Sequence, residues 1–325
     1  MLTTLAFLLL SLHSPLPADA QPDAPTTAPL APTREAPAEP VIISRSPLPA
    51  AEGSKAVVER VIYRSDGLKI QGYLAYPRDA DPTKDSPAKK LPCILYARGG
   101  NRDTGAVTDE VAQSLGRLAG EWGYVLFATN YRGSKGSEGV DQFGGDDLHD
   151  LLNALAIFDE LPFADAERIG LWGRSRGGMM TYLALKHTTR IDAAIVAAGV
   201  TDLDRNTRAR ADMEQVCTQL IPNWTTDRAA AVESRSALRW ADKLPATTPI
   251  LIVHGTADWR VDPRDALDMA AKLQEHKKPY RLLMLEGTDH AQTEFKQAYE
   301  AAVRDWLDRY VRDGAPLPNL TPHGS

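Results

Sequence analysis

The chain has little cysteine: two residues in 325, Cys93 and Cys217. That excludes a disulfide-built fold, and there is no C-x-x-C pair or His/Cys cluster with metal-ligand spacing, so no metal or cofactor is expected. Cys93 lies inside the apolar run LPCILYA and reads as a buried free thiol, with a single bridge to Cys217 as the alternative in an oxidising compartment. A basic excess is also missing. The 37 lysines and arginines stand against 43 aspartates and glutamates for a net charge of -6, with no Lys/Arg-rich stripe, which excludes nucleic acid as a partner. Long hydrophobic runs are absent too: LAFLLLSL, Leu5 to Leu12, is too short to span a bilayer, so stable membrane insertion is not expected.

What is present describes a globular chain, 43% hydrophobic and 25% charged, long enough for one large α/β core. LAFLLLSL followed by Pro15, Pro17 and the small residues Ala18 to Ala20 reads as an export signal over residues 1–20, although no Lys or Arg precedes the apolar run. No cysteine stands at the cleavage point, which disfavours a lipid anchor. The expected location is periplasmic or secreted. Residues 21–53, rich in Pro and Ala, read as an extended tether, and residues 54–325 as the folded domain.

Within that domain the sequence alternates. AVVERVIY and LKIQGYLAY joined through Asp66-Gly67 predict a hairpin. LPCILYA, YVLFAT, RIGLWG, DAAIVAAG, PILIVHG and YRLLMLE are short apolar runs typical of strands buried on both faces. Helical periodicity fills the gaps, most clearly in DEVAQSLGRLAGEW, DLHDLLNALAIFDEL, MMTYLALKH, PRDALDMAAKLQEH and EFKQAYEAAVRDWLDRYV. The prediction is a mostly parallel, twisted sheet with helices on both faces, its ligand edge formed by loops that follow the strands. Residues 201–248, polar and helical, interrupt the alternation and are expected to form a small cap over that edge.

GRSRG, Gly173 to Gly177, fits G-x-S-x-G between a strand and a helix, the context of a nucleophile elbow. A serine hydroxyl needs a base oriented by a carboxylate. Asp258 follows PILIVHG and His290 follows YRLLMLE, so Ser175, Asp258 and His290 occur in the chain order of α/β-hydrolases. His254 competes as base, but its place before Gly255 suits shaping the turn; Asp262 competes as acid, but falls where a helix cap is expected.

From about Val57 to Val311 the chain resembles the catalytic domain of the prolyl oligopeptidase family of serine peptidases. The likeness rests on YARGGN, NYRGSKGSEG, FGGDD, GRSRGG and HGTADWRV in family order, the last being the most specific. It implies an α/β-hydrolase fold with Ser175 as nucleophile, Asp258 as acid and His290 as base. Two departures stand out. Family members of strict selectivity carry a large β-propeller before this domain, whereas roughly 35 residues separate Gln21 from the predicted first strand. The residue after the nucleophile is often Tyr in the family and is Arg176 here, and the resemblance puts Arg98 where some members use a Tyr hydroxyl in the oxyanion hole.

The oxyanion hole is therefore expected at the backbone N–H of Arg176, with a second donor from the Arg98-Gly99 backbone or the Arg98 side chain. Arg176 has two readings, a substrate-facing cation or a partner for a nearby acid. Trp224, Met213 and Leu220 are candidate pocket walls in the cap, and Arg132 is expected to hold a loop through a carboxylate of GGDD. The substrate is a short peptide or a small ester. Three functions are weighed: a peptidase, a carboxylic-ester hydrolase using the same triad, and, disfavoured by the intact Ser/Asp/His set, a non-catalytic binding protein.

Overall fold

The computed structural model describes residues 39–50, 53–80 and 89–324. These residues form one nine-stranded sheet: β1 (Ile42–Pro47), β2 (Ala56–Ser65), β3 (Leu68–Pro77), β4 (Leu91–Ala97), β5 (Val125–Thr129), β6 (Ala164–Arg174), β7 (Ala193–Ala197), β8 (Ile250–Gly255) and β9 (Tyr280–Leu285), in the order β1-β2-β3-β5-β4-β6-β7-β8-β9. β1, β2 and β3 pair antiparallel, β3 meets β5 antiparallel, and the remaining pairs are parallel. The expected α/β-hydrolase architecture is present. Ser65 pairs with Leu68, so Asp66 and Gly67 alone make the β2–β3 turn, with φ of 50° and 79° as a two-residue hairpin requires.

One boundary is corrected. The expected tether over 21–53 ends too late, because β1 pairs with β2 and Val41 is buried beneath it. VIISRS, between Pro40 and Pro47, interrupts the Pro/Ala bias, and this short, largely exposed strand is bound by its ladder and by Glu160, which accepts the backbone N–H groups of Val41 and Ile42. The expected export signal and residues 21–38 lie outside the described residues.

The central strands alternate between two cores, since successive side chains point to opposite faces. Leu95, Phe127, Leu171, Val196 and Ile252 meet helices α2 (Asp147–Asn153), α3 (Leu155–Glu160), α4 (Arg176–Leu185) and α8 (Arg264–Glu275). Ile94, Leu126, Trp172, Ile195 and Leu251 meet α1 (Asp109–Trp122) and α9 (Lys296–Leu307). α1 starts at Thr108, whose hydroxyl accepts from Val111 N, and stops at Gly123 in the left-handed region. The cap insertion contains α5 (Leu203–Ala209), α6 (Ala211–Leu220) and α7 (Arg228–Arg235).

The chain leaves β4 to reach β5 on one side and returns to β6 on the other. The carboxyl ends of β4 and β6 therefore form the crevice where strand order reverses, the usual ligand position in open α/β sheets.

Candidate active site

Ser175 stands at that crevice, between β6 and α4, with φ 57° and ψ -124°. A left-handed φ on a residue with a Cβ is strained and persists only where the surroundings fix it. Ser175 N–H donates to Ala197 O at 2.9 Å, and its own carbonyl accepts from Gly178 N at 2.9 Å. Glycines permit the close approach: a Cβ on Gly177 would lie 1.9 Å from Ala97 O, and one on Gly173 2.1 Å from Gly177 O. Helix α4 thus packs almost backbone to backbone on β4, with Ser175 at its apex.

The loop after β8 carries Asp258. It is 5% exposed; Oδ1 accepts the N–H groups of Arg260 and Val261, and Oδ2 stands 2.7 Å from His290 Nδ1 and 3.2 Å from His254 Nε2. Burial pushes this carboxyl up, but hydrogen bonds from the two histidines and from the loop backbone outweigh it and hold it well below the usual carboxylate range. A carboxylate opposite Nδ1 favours the tautomer with the proton on that nitrogen, which leaves Nε2 as the acceptor. His254 is buried, with Nε2 also 3.1 Å from Val261 O, so it braces the Asp258 loop as the turn-shaping reading expected. Asp262 instead accepts Arg264 N–H and pairs with its guanidinium at the start of α8.

Ser175 and His290 line one cavity of about 510 Å³, together with Gly99, Gly100, Arg174, Met213, Val216 and Arg260 among others. Gly99 brings the end of β4 alongside the serine: a Cβ there would lie 3.1 Å from Ser175 Cβ.

Three site expectations are corrected. The Arg176 guanidinium is not a substrate cation: it is 2% exposed, grips Asp141 through a two-pronged pair at 2.8 Å on each side, reaches Asp147, and lies over the rings of Tyr131 and Phe143. The Arg98 side chain is not an oxyanion donor, since its N–H groups are spent on the carbonyls of Gly99, Arg102, Thr104 and Asn130 and on Ser134. Trp224 is not a pocket wall: its ring is 2% exposed within the cap, with Nε1 donating to Glu214 and the Arg228 guanidinium stacked on it.

Arg132 has the structural role expected of it, although its partners are Asp150 and Asp66 and not the acids of GGDD. Sequence reasoning missed that Asp141 and Asp147 are the counter-charges of Arg176; the FGGDD run was the available signal. It also missed that Arg174 donates to the carbonyl of His290 at 2.8 Å.

The sequence profile of the prolyl oligopeptidase family matches residues 112–314. The chain belongs to the prolyl oligopeptidase family. It is accordingly a serine hydrolase, as the resemblance implied. Among relatives of this family, it is 29% identical over 222 residues to the uncharacterized peptidase YtmA of Bacillus subtilis, covering 67% of this chain and 80% of that one. It is 28% identical over 267 residues to dipeptidyl-peptidase 5 of Porphyromonas gingivalis, covering 79% of this chain but 38% of the relative. In fold it is similar to the acylaminoacyl peptidase of Pyrococcus horikoshii, with a TM-score of 0.68 at 20% identity over 83% of this chain and 44% of that one. The chain thus spans less than half of the last two proteins.

Proposed function

We propose that this member of the family cleaves short peptides through an acyl-enzyme, with Ser175 as nucleophile, His290 as base and then acid, and Asp258 as the orienting carboxylate. The observation that carries this reading is the strained Ser175 elbow facing the same cavity as a histidine whose Nδ1 is fixed by a buried carboxylate.

In the first step Ser175 Oγ attacks the scissile carbonyl carbon while His290 Nε2 takes its proton. Negative charge then develops on the carbonyl oxygen. The Arg176 N–H, at the first turn of α4, has no intrahelical partner and is positioned to accept that charge. The backbone N–H of Gly99, beside Ser175, is the second donor. Both donors are main-chain groups, so the guanidinium of Arg176 serves by anchoring α4 and not by touching the acyl group. His290 returns its proton to the leaving amine as the C–N bond breaks, and water repeats the sequence on the acyl-enzyme, releasing the acid and restoring Ser175.

Hydrolysis of a panel of short peptides, followed by chromatography, tests the proposal. Cleavage by the wild type and loss of about 10⁴-fold or more in Ser175→Ala are expected; undiminished cleavage by that variant refutes it. We also infer export from LAFLLLSL and the Ala18–Ala20 site. N-terminal sequencing of protein recovered from periplasm or medium, expected to begin at Gln21, tests that inference.

A further inference from the structure

Four arginines line the cavity: Arg174, Arg176, Arg210 and Arg260. Two are neutralised. Arg210 pairs with Asp212 at 2.5 Å, and Arg176 with Asp141 and Asp147. Arg98, which feels both aspartates, and Arg235, which feels Asp147, are buried nearby, so this cluster holds three cations and two anions; the donors of both guanidiniums are spent on main-chain carbonyls and serine hydroxyls. Arg174 and Arg260 are left. Among the described residues no carboxylate pairs with Arg174, whose side chain makes one hydrogen bond, from Nη2 to His290 O, and lies near the hydroxyls of Tyr96 and Tyr299. Arg260 rests its guanidinium on the Trp259 ring at the rim, while its backbone is tied to Asp258 and Asn206. The cavity wall is therefore net positive close to Ser175.

The side of the scissile bond that meets this charge follows from the reading of Ser175, Asp258 and His290 given above, on which this inference rests. His290 must protonate the leaving amine, so the leaving group lies against His290. Arg174, bonded to the carbonyl of that same residue, is the cation on the leaving-group side. The rest of the lining includes Gly99, the main chain at Arg176 and the apolar cap residues Met213 and Val216, so that among the described lining residues no further unpaired cation is left for the acyl side.

We propose that Arg174 receives the α-carboxylate of the leaving amino acid, with Arg260 reinforcing it from the rim, so that the enzyme prefers to release a free C-terminal amino acid from a short peptide. In a peptide whose last residue is the leaving group, the carbon next to the departing nitrogen bears the carboxylate, which places it beside the imidazole and within reach of Arg174. A half-buried guanidinium that pairs with no carboxylate among the described residues suits this role, because the ligand can enter and the charge-assisted hydrogen bonds form away from bulk water. The chemistry is the hydrolysis already described, one C–N bond broken and one water consumed, with the carboxylate held and unchanged.

The test compares kcat/KM for an N-blocked dipeptide with a free C-terminal carboxylate, its C-terminal amide, and an amidated peptide with Glu on the acyl side. The wild type is expected to favour the free acid over the amide by about tenfold or more. Arg174→Gln should bring that ratio towards one, Arg174→Lys should keep part of it, and Arg260→Gln should lower it less. The ratio is the readout because Arg174 also holds the His290 loop and any change there alters absolute rates. A wild-type ratio near one, a ratio unmoved in Arg174→Gln, or a preference for the acyl-side Glu peptide overturns the proposal. If Arg174→Gln does not fold, the wild-type ratio and its response to Arg260→Gln decide. Fluorophosphonate labelling run in parallel separates the two readings: labelling with a ratio near one defeats only the carboxylate pocket, and absence of labelling defeats the triad beneath it.

Discussion

His290 Nδ1 stands 2.7 Å from Oδ2 of Asp258, an oxygen that also meets His254 Nε2 at 3.2 Å, while Oδ1 is held by the N–H groups of Arg260 and Val261. An amide in place of the carboxylate presents a donor or an uncharged acceptor to the imidazole and disturbs the tautomer that leaves Nε2 free. Asp258→Asn is expected to fold and to lose about 10⁴-fold in kcat. Asp262→Asn, which weakens the ion pair with Arg264 at the start of α8, should stay near wild type. Steady-state kinetics on both variants check the assignment, and the reverse ranking would move the acid to Asp262.

The same carboxylate makes stability depend on pH. Its folded-state pKa is depressed, so the unfolded chain binds the proton more readily in acid. The stabilisation is present above the unfolded value, about 3.9, and is lost as pH falls through the lower folded value. Urea denaturation of wild type and Asp258→Asn between about pH 5 and 2 should therefore show the wild type losing its advantage as pH falls, while a gap that widens in acid contradicts the sign.

Arg176 is buried against two aspartates, so removing its charge strands both. Arg176→Met is expected to destabilise the fold by about 3–5 kcal/mol, more than either single Asp→Asn change. Denaturant midpoints measure it. A stable Arg176→Met protein with altered substrate preference would return Arg176 to the pocket.

Gly177 offers a steric test of the elbow. Gly177→Ala sets a Cβ against the backbone oxygen of Ala97 at 1.9 Å, where neither partner is a flexible side chain. A loss of about 3 kcal/mol or more is expected, together with loss of activity. Thermal unfolding beside Gly314→Ala, whose added Cβ meets nothing within 4 Å and suffers only backbone strain, separates the clash from a general intolerance of alanine.

Cys93 and Cys217 are both free and buried, and burial is the main cause that pushes the thiol of Cys217 up to about 12 and that of Cys93 higher still. Neither is expected to react with a maleimide in the native protein, and both should react after denaturation without reductant. Labelling only after reduction would reveal a disulfide.

The strands and helices that bury a continuous apolar face were legible, because periodicity carries that information directly. α1 could be read to the residue, since Thr108 and Gly123 bracket it. The helix expected over residues 147–161 breaks at Ala154, where no Gly or Pro signals it. β1 was hidden by Pro47 and Pro49 at its end and by its largely exposed face. The order Ser175, Asp258, His290 was visible because each follows an apolar strand. The fate of the arginines was not: Arg176 finds its carboxylates 29 and 35 residues upstream, and Trp224 turns inward from the turn between α6 and α7, where no periodicity says which side meets the cavity. Ion-pair partners chosen by tertiary folding leave no local spacing to read.

The central claim is that Ser175 is the activated nucleophile. Intact-mass and peptide-mapping analysis after treatment with a fluorophosphonate tests it most directly. The account predicts one adduct per chain, on Ser175, suppressed in Asp258→Asn and absent in Ser175→Ala. An adduct on another residue, or none on a folded wild-type protein, would contradict it.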